Sequence, residues 1–167
     1  MGLEKLEEKF QNYIKKYPEN MDRLTSIAEQ VAGIQRNVRK LLDGITTEVC
    51  SVCSASCCQC MPVDGWFTES DYFIFRMLYD APFDLKVGHN IERGCSFLGP
   101  DGCVLHSDIR PFPCVKVNCE KLNDALKAQG GTEAFNRLYN ELGRLQEEIW
   151  PLLDGFLSCN VVQAQSL

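Results

Sequence analysis

Apolar residues recur at gaps of three and four positions over residues 3–17 and again over residues 24–41. This spacing places them along one face of an α-helix. Pro18 cannot continue the first helix, and Gly44 is a natural stop after the second. The pattern predicts a helical hairpin over residues 1–46, whose apolar faces pack against each other, against the rest of the chain, or across a homodimer.

Residues 120–167 are also predicted to be helical. A short helix over 122–127 ends before two consecutive glycines, and Thr132 is placed to cap a longer helix. The longer helix carries apolar residues at gaps of three and four over 135–156. Pro151 lies inside this pattern, where we expect it to kink or restart the helix.

The middle stretch, residues 47–119, is rich in glycine and proline and has few long periodic segments. A capping-box pattern leads into an apolar run over 68–78, which predicts one helix. Pro-Asp-Gly at 100–102 is a turn signal. A three-residue loop there predicts a short β-hairpin that pairs Gly99 with Cys103.

These elements predict one mainly α-helical domain over residues 1–167, in which the helical hairpin and the C-terminal helices pack around an irregular cysteine-rich core with a short β-hairpin. The chain is 45% hydrophobic and 24% charged, which is ordinary for a globular protein. It has no apolar run of the roughly 18 residues that a membrane span needs. A formal net charge of −6 argues against a general nucleic-acid binder. The charged N-terminus lacks the apolar core of a secretory signal, so we expect a cytoplasmic protein.

Cysteine is the abnormal feature of the composition. The chain has 10 cysteines, and nine of them lie between Cys50 and Cys119. In a reducing cytosol such dense thiols indicate metal binding or catalysis, whereas a disulfide-stapled secreted domain would need an export route. Cys50 and Cys53 have the Cys-x2-Cys spacing at which one tight turn aims two thiolates at one ion. Sites of four thiolates suit Zn²⁺ or iron–sulfur clusters and disfavour Ca²⁺ and Mg²⁺.

The number and spacing of the cysteines predict two metal sites. A structural zinc takes four ligands, and the nine clustered cysteines would fill two such sets. Cys57 and Cys58 are neighbours, so in an extended stretch their side chains face opposite sides. In the predicted hairpin, Cys95 lies four residues beyond the residue that pairs with Cys103. Four residues of strand span about 13 Å, which is too far for two ligands that each lie about 2.3 Å from one ion.

The order of these motifs resembles that of a known family. Cys-x2-Cys-x3-Cys-Cys over 50–58 is followed by Cys-x-Phe-Leu at 95–98, Gly-Cys at 102–103 and Arg-Pro-x2-Cys at 110–114. The set is similar to the zinc- or iron-chelating CxxCxxxCC domain of the YkgJ-like cysteine-cluster proteins, over about residues 50–119. This resemblance implies a metal-binding module of the bacterial cytoplasm and supplies no reaction. The cysteines that carry it, which we predict to be the metal ligands, are Cys50, Cys53, Cys57, Cys58, Cys95, Cys103, Cys114 and Cys119.

Several residues near the cluster keep two interpretations. Cys60 and His106 lie close enough in sequence to ligate a metal, but thiols are already in surplus, which favours His106 as a half-buried side chain beside the site. Cys159 is expected to be a buried small hydrophobe, and His89 to be ordinary surface. Arg110 either offsets the negative charge of a four-thiolate zinc site or lies on a solvated surface.

The sequence therefore predicts a non-catalytic metal-binding protein, with zinc favoured over iron because zinc outcompetes Fe²⁺ at comparable sites. The alternative is an iron–sulfur protein with an electron-transfer or redox-enzyme role. No serine-hydrolase elbow, phosphate loop or HExxH motif is present. Metal ions are the expected partners, together with a homodimer or protein partner through the N-terminal helices. No nucleic-acid or membrane partner is expected.

Overall fold

In a computed structural model, the described part of the molecule is mainly helical, with long helices at residues 3–16, 21–42 and 132–153. The residues that the structure describes are 3–50, 52–53, 68–80, 98–99, 102–103, 108, 110–115 and 119–153. Their helices are α1 (Leu3–Lys16), α2 (Met21–Leu42), α3 (Ile45–Cys50), α4 (Glu69–Leu78), α5 (Phe112–Val115), α6 (Glu120–Ala128) and α7 (Thr132–Leu153), with a 3₁₀ turn at Pro18–Asn20. Within these ranges, no helix combines the length and apolarity that crossing a bilayer requires.

The first two helices end where the sequence predicts. α1 ends at Lys16, and Pro18 then opens the 3₁₀ turn, because its ring fixes φ and removes the N–H that a longer helix would need. α2 ends at Leu42, and Gly44 adopts a φ of 81°, in the left-handed region that favours glycine. This turn lets α3 begin at Ile45, immediately after the long helix.

Asn20 lies at the N-cap position of α2, but its side chain makes no capping hydrogen bond. Its amide instead donates to the hydroxyl of Tyr13 at 2.9 Å, and that hydroxyl donates to the carbonyl of Leu152 at 2.8 Å. Tyr13 is fully buried, and a buried hydroxyl needs such partners. The turn between α1 and α2 is thereby tied to the end of α7.

α2 lies at the centre of the apolar core, where it packs against α4 and α7. α1 packs mainly against α4, and both apolar stripes are buried against the rest of the chain, which is the second of the three predicted alternatives. The ring of Phe73 on α4 meets the rings of Phe10 and Tyr13 edge to face, at centroid distances of 5.4 and 5.2 Å. Fully burying a side chain as large as phenylalanine contributes about 1.5–3 kcal/mol. The stripe on α2 is buried through Leu24, Ile27, Ala28, Val31, Ile34 and Val38.

Thr68 caps α4 as the sequence predicts. Its hydroxyl accepts the backbone N–H of Asp71 at 3.2 Å, and the Asp71 carboxylate accepts the backbone N–H of Thr68 at 2.7 Å. This reciprocal pair is a capping box, which satisfies two donors at the start of the helix. Burial raises the pKa of the Asp71 carboxyl to about 6, although the hydrogen bonds from Thr68 oppose the shift.

A buried ion pair fastens α4 to α1. The guanidinium of Arg76, whose side chain is 7% exposed, donates to both carboxylate oxygens of Glu7, at 2.8 and 3.2 Å. The Tyr72 hydroxyl donates to the same carboxylate at 2.5 Å, and Gln11 donates at 2.8 Å. Burial alone would raise the pKa of Glu7, but these hydrogen bonds and the Arg76 charge hold it below its ordinary value. Because Arg76 and Tyr72 lie on α4 and Glu7 lies on α1, these contacts fix the position of α4 against α1.

Two strands of two residues each, β1 (Leu98–Gly99) and β2 (Gly102–Cys103), pair antiparallel. Gly99 is opposite Gly102, and Leu98 is opposite Cys103. The predicted register, with Gly99 opposite Cys103, is therefore wrong by one residue, because two positions separate the strands and not three. The predicted distance between Cys95 and Cys103 depended on that register, and Cys95 lies outside the described residues.

Glycines form the tight connection between α6 and α7. Gly130 has a φ of 70°, and a side chain at buried Gly131 would place its Cβ only 2.6 Å from Cδ1 of Leu126. The two helices can therefore approach closely at this turn. α7 begins at Thr132 and continues through Pro151 to Leu153, so the helix does not restart at the proline.

Candidate metal centre

The structure describes the side chains of four predicted ligands and the backbone of a fifth. Cys50 and Cys53 lie at the end of α3, Cys114 lies in α5, and Cys119 directly precedes α6. Cys103 lies in β2. The remaining cysteines and both histidines lie outside the described ranges: Cys57, Cys58, Cys60, Cys95, Cys159, His89 and His106.

The pair Cys50 and Cys53 lies on a turn that α3 holds in place. Ile45, at the start of α3, is fully buried, and Val49 packs against the core. The backbone N–H of Cys53 donates to the carbonyl of Cys50 at 3.2 Å, so one further turn of chain follows the helix. Cys50 is exposed, Cys53 is half-buried, and Val52 between them is 81% exposed. The apolar side of α3 thus anchors the turn, while the turn itself faces solvent.

A buried glutamine of α2 holds the segment that leads to Cys114. The amide of Gln35 donates to the carbonyl of Arg110 at 2.8 Å and accepts the N–H of Arg110 at 2.9 Å. Gln35 is only 5% exposed, and Pro111, the next residue of the held segment, is fully buried. The carbonyl of Pro111 accepts the N–H of Cys114 at 2.8 Å. The two hydrogen bonds between Gln35 and Arg110 therefore fix the chain four residues before the predicted ligand Cys114.

A second contact fastens the same segment nearby. Arg36, one residue after Gln35 on α2, pairs with Asp108 at 2.8 Å. The side chain of Arg36 is about half exposed, so this ion pair contributes at most about 1 kcal/mol. The Gln35 hydrogen bonds are therefore the stronger of the two attachments. Arg110 itself is exposed, which fits either of its two predicted roles.

Cys119 is placed by the start of α6. Its carbonyl accepts the N–H of Asn123 at 2.9 Å, which is the first turn of hydrogen bonding of the helix. Leu126 is buried, and the helix packs against α3, which carries Cys50. Two cysteine-bearing segments therefore lie on helices that contact each other, although Cys50 and Cys119 are 69 positions apart in the sequence.

The exposure of these cysteines differs from that of a packing residue. Cysteine is among the residue types most often fully buried in folded proteins. Cys50 and Cys114 are exposed, while Cys53 and Cys119 are half-buried, so none of the four is part of the buried core. Thiolates in such positions can bind a soft or borderline metal ion or react with an oxidant.

The sequence gives one local signal of the Gln35 contact that the prediction missed. Gln35 lies on the buried face of α2, four positions after Val31 and one after Ile34, where apolar residues otherwise recur. A polar residue on such a face needs a hydrogen-bond partner. Its partner lies 75 residues away in the chain, which local spacing does not reveal.

Among the residues that the structure describes, no three side chains of Cys, His, Asp or Glu lie close enough together to hold a metal ion. The four described cysteines belong to three separate segments, and Cys57, Cys58 and Cys95 are not among the described residues. The predicted grouping of the eight ligands into two sites therefore stays a prediction.

No family model, curated protein or solved structure matches the chain. The resemblance to the cysteine-cluster family likewise stays a prediction from motif spacing.

Proposed function

We propose that this protein is a non-catalytic metal-binding module that holds zinc through cysteine thiolates in two sites. The proposal takes its candidate ligands from the eight cysteines that recur in order between Cys50 and Cys119. Nine thiols within about 70 residues are far more than packing requires.

One observation carries the proposal: the four cysteines whose side chains the structure describes lie outside the core, while the segments that bear them are attached to it. α3 is anchored through Ile45, the Cys114 segment through Gln35, and α6 through Leu126. A metal site needs ligands that the protein holds in place without using them for packing. Anchored backbone with sulfur at or near the surface meets that need.

Zinc suits this donor set better than the other common cations. Thiolate is a soft ligand that favours Zn²⁺ or iron–sulfur clusters, whereas Ca²⁺ and Mg²⁺ prefer oxygen. Zinc also binds more tightly than Fe²⁺ at comparable sites. Zinc held by thiolates of the cysteine-rich stretch would add its binding energy to the stability of the fold.

The first test is the metal content of protein purified under inert gas and without chelators. Elemental analysis is expected to give more than one zinc per chain, in a colourless sample. A brown sample with visible absorption would instead indicate an iron–sulfur cluster, the alternative predicted from the sequence. A sample with no zinc and no iron would refute the metal-binding function.

The second test uses variants. Replacing Cys50 and Cys53 together by alanine is expected to lower the metal content and the melting temperature, because one site loses two of its ligands. Cys159→Ala is the matched control, since Cys159 is not among the eight predicted ligands, and it should keep the full metal content. A double variant that retains both its metal and its melting temperature would show that Cys50 and Cys53 are not ligands.

A further inference from the structure

The turn that carries Cys50 and Cys53 brings the two residues close together. The hydrogen bond of 3.2 Å from the Cys53 N–H to the Cys50 carbonyl closes a four-residue turn. In such a turn the first and last Cα atoms lie less than about 7 Å apart. Disulfides join residues whose Cα atoms lie about 4.4–6.8 Å apart. We therefore expect a disulfide between the two cysteines to need no large movement of the backbone.

The same turn is accessible to small oxidants. Cys50 is exposed, Cys53 is half-buried, and Val52 projects into solvent. Accessible thiols with a second thiol in reach are the ones that oxidise reversibly, because the second sulfur traps the first oxidation product before it is oxidised further. The body of α3 is anchored by Ile45, so a change in the turn need not unfold the helix.

We infer that the Cys50–Cys53 turn is a redox switch, in which a peroxide joins the two sulfurs as a disulfide and releases the zinc that they hold. The release of zinc rests on the proposed function, whereas the formation of the disulfide does not. The inference thus assigns a regulation to the proposed zinc site.

The reaction balances with hydrogen peroxide as the oxidant. One thiolate attacks the peroxide, the O–O bond breaks, and a sulfenic acid forms as the first water leaves. The second thiolate attacks the sulfenic sulfur, the S–S bond forms, and the second water leaves. Two electrons pass from the sulfurs to the peroxide, and two protons come from solvent when the sulfurs begin as zinc thiolates. Zinc itself is not oxidised or reduced, and it leaves because a disulfide is not a thiolate ligand.

The experiment treats the metal-loaded protein with equimolar hydrogen peroxide under inert gas. Thiols that remain are blocked with one alkylating reagent, and thiols recovered by dithiothreitol are labelled with a second. A protease that cleaves after acidic residues cuts after Glu48 and after Asp64, which gives one fragment, residues 49–64, with five cysteines. Fragment-ion sequencing must therefore assign each label. A chromogenic chelator measures the zinc released during the treatment.

We expect the second label on Cys50 and Cys53 together, with release of about one zinc ion per chain because a site of four ligands loses two of them. Cys53→Ser should abolish this disulfide and stop Cys50 at the sulfenic acid, because one equivalent of peroxide oxidises one thiolate no further. Cys159→Ser should behave like the unmodified protein. The inference is overturned if, in the unmodified protein, other cysteines take the second label first or Cys50 and Cys53 stay reduced. Metal analysis before treatment separates the two claims. A sample without metal refutes the proposed function and the release of zinc, while the labels still test whether Cys50 and Cys53 form a disulfide.

Discussion

Replacing Gln35 by methionine would test whether α2 holds the segment that leads to Cys114. Methionine has a similar length and a similar helix propensity, but it cannot donate to the carbonyl of Arg110 or accept its N–H. The substitution therefore removes both hydrogen bonds, of 2.8 and 2.9 Å, and leaves the packing of the buried position nearly unchanged.

The expected loss follows from the two hydrogen bonds and from the exposure of their partner. A net hydrogen bond contributes about 0.5–1.5 kcal/mol, so two contribute about 1–3 kcal/mol. Because Arg110 is an exposed residue, we expect water to reach its backbone groups once Gln35 is gone, which favours the lower part of that range. We expect a decrease of about 1–2 kcal/mol in the free energy of unfolding, equivalent to about 2–8 °C in melting temperature for a chain of this size.

Urea unfolding and thermal melting of Gln35→Met would measure the decrease. The matched control is Gln30→Met on the same helix, because Gln30 is exposed and its amide bonds only to Ser26, four residues earlier. We also expect weaker zinc binding by Gln35→Met, by about tenfold for each 1.4 kcal/mol, since the metal must then order the Cys114 segment. If Gln35→Met and Gln30→Met had the same stability, Gln35 would not anchor the segment.

Two further predictions concern stability and need no metal. Asp71 has a folded-state pKa of about 6, above its ordinary value, because of burial. The Asp71 carboxyl therefore binds a proton more tightly in the folded state than in the unfolded chain. As a result, its contribution to the free energy of unfolding rises as the pH falls from about 6 to about 4. Relative to Asp71→Asn, the unmodified protein should gain unfolding free energy between pH 7 and pH 5, and an unchanged difference in urea unfolding would contradict the assignment. Gly143→Ala should stabilise the protein by up to about 1 kcal/mol, because a Cβ there meets nothing within 4 Å inside α7. Gly131→Ala should destabilise the protein, because its Cβ would lie 2.6 Å from Cδ1 of Leu126. If urea unfolding showed that both glycine substitutions stabilise the protein, or that both destabilise it, this contrast would be refuted.

Local signals predicted the longer helices and their ends well, but they did not predict the short helices α3 and α5. The spacing of three and four residues predicted α1, α2 and α7, Pro18 and Gly44 marked helix ends, and the Thr68 capping box marked the start of α4. Each of these signals acts within a few residues, through backbone conformation or a single hydrogen bond. Sequence spacing therefore contains the information that determines them.

Contacts between distant segments were not predictable in the same way. The periodicity of α1 shows that one face is buried, but not that Phe73 of α4 covers it. Asn20 has the chemistry of a helix cap, yet its amide donates to the hydroxyl of Tyr13, which the fold brings beside it. The bidentate contact of Arg76 with Glu7 joins residues 69 positions apart.

The candidate metal centre shows the same division. The Cys-x2-Cys spacing predicted that Cys50 and Cys53 lie on one turn, and a hydrogen bond between their backbones closes that turn. Which of the other thiols join them depends on how α3, α5 and α6 pack, and packing is not encoded in the spacing of the cysteines. Gln35 matters for this packing although it is neither a cysteine nor a charged residue.

X-ray absorption at the zinc edge, on protein purified under inert gas, tests the central claim most directly. If cysteine thiolates hold the metal, the first shell consists of sulfur atoms at about 2.3 Å, with an average of about four for each zinc. A first shell of nitrogen or oxygen at about 2.0–2.1 Å would contradict the thiolate assignment, and a sample with no absorption edge for zinc would contradict zinc binding itself.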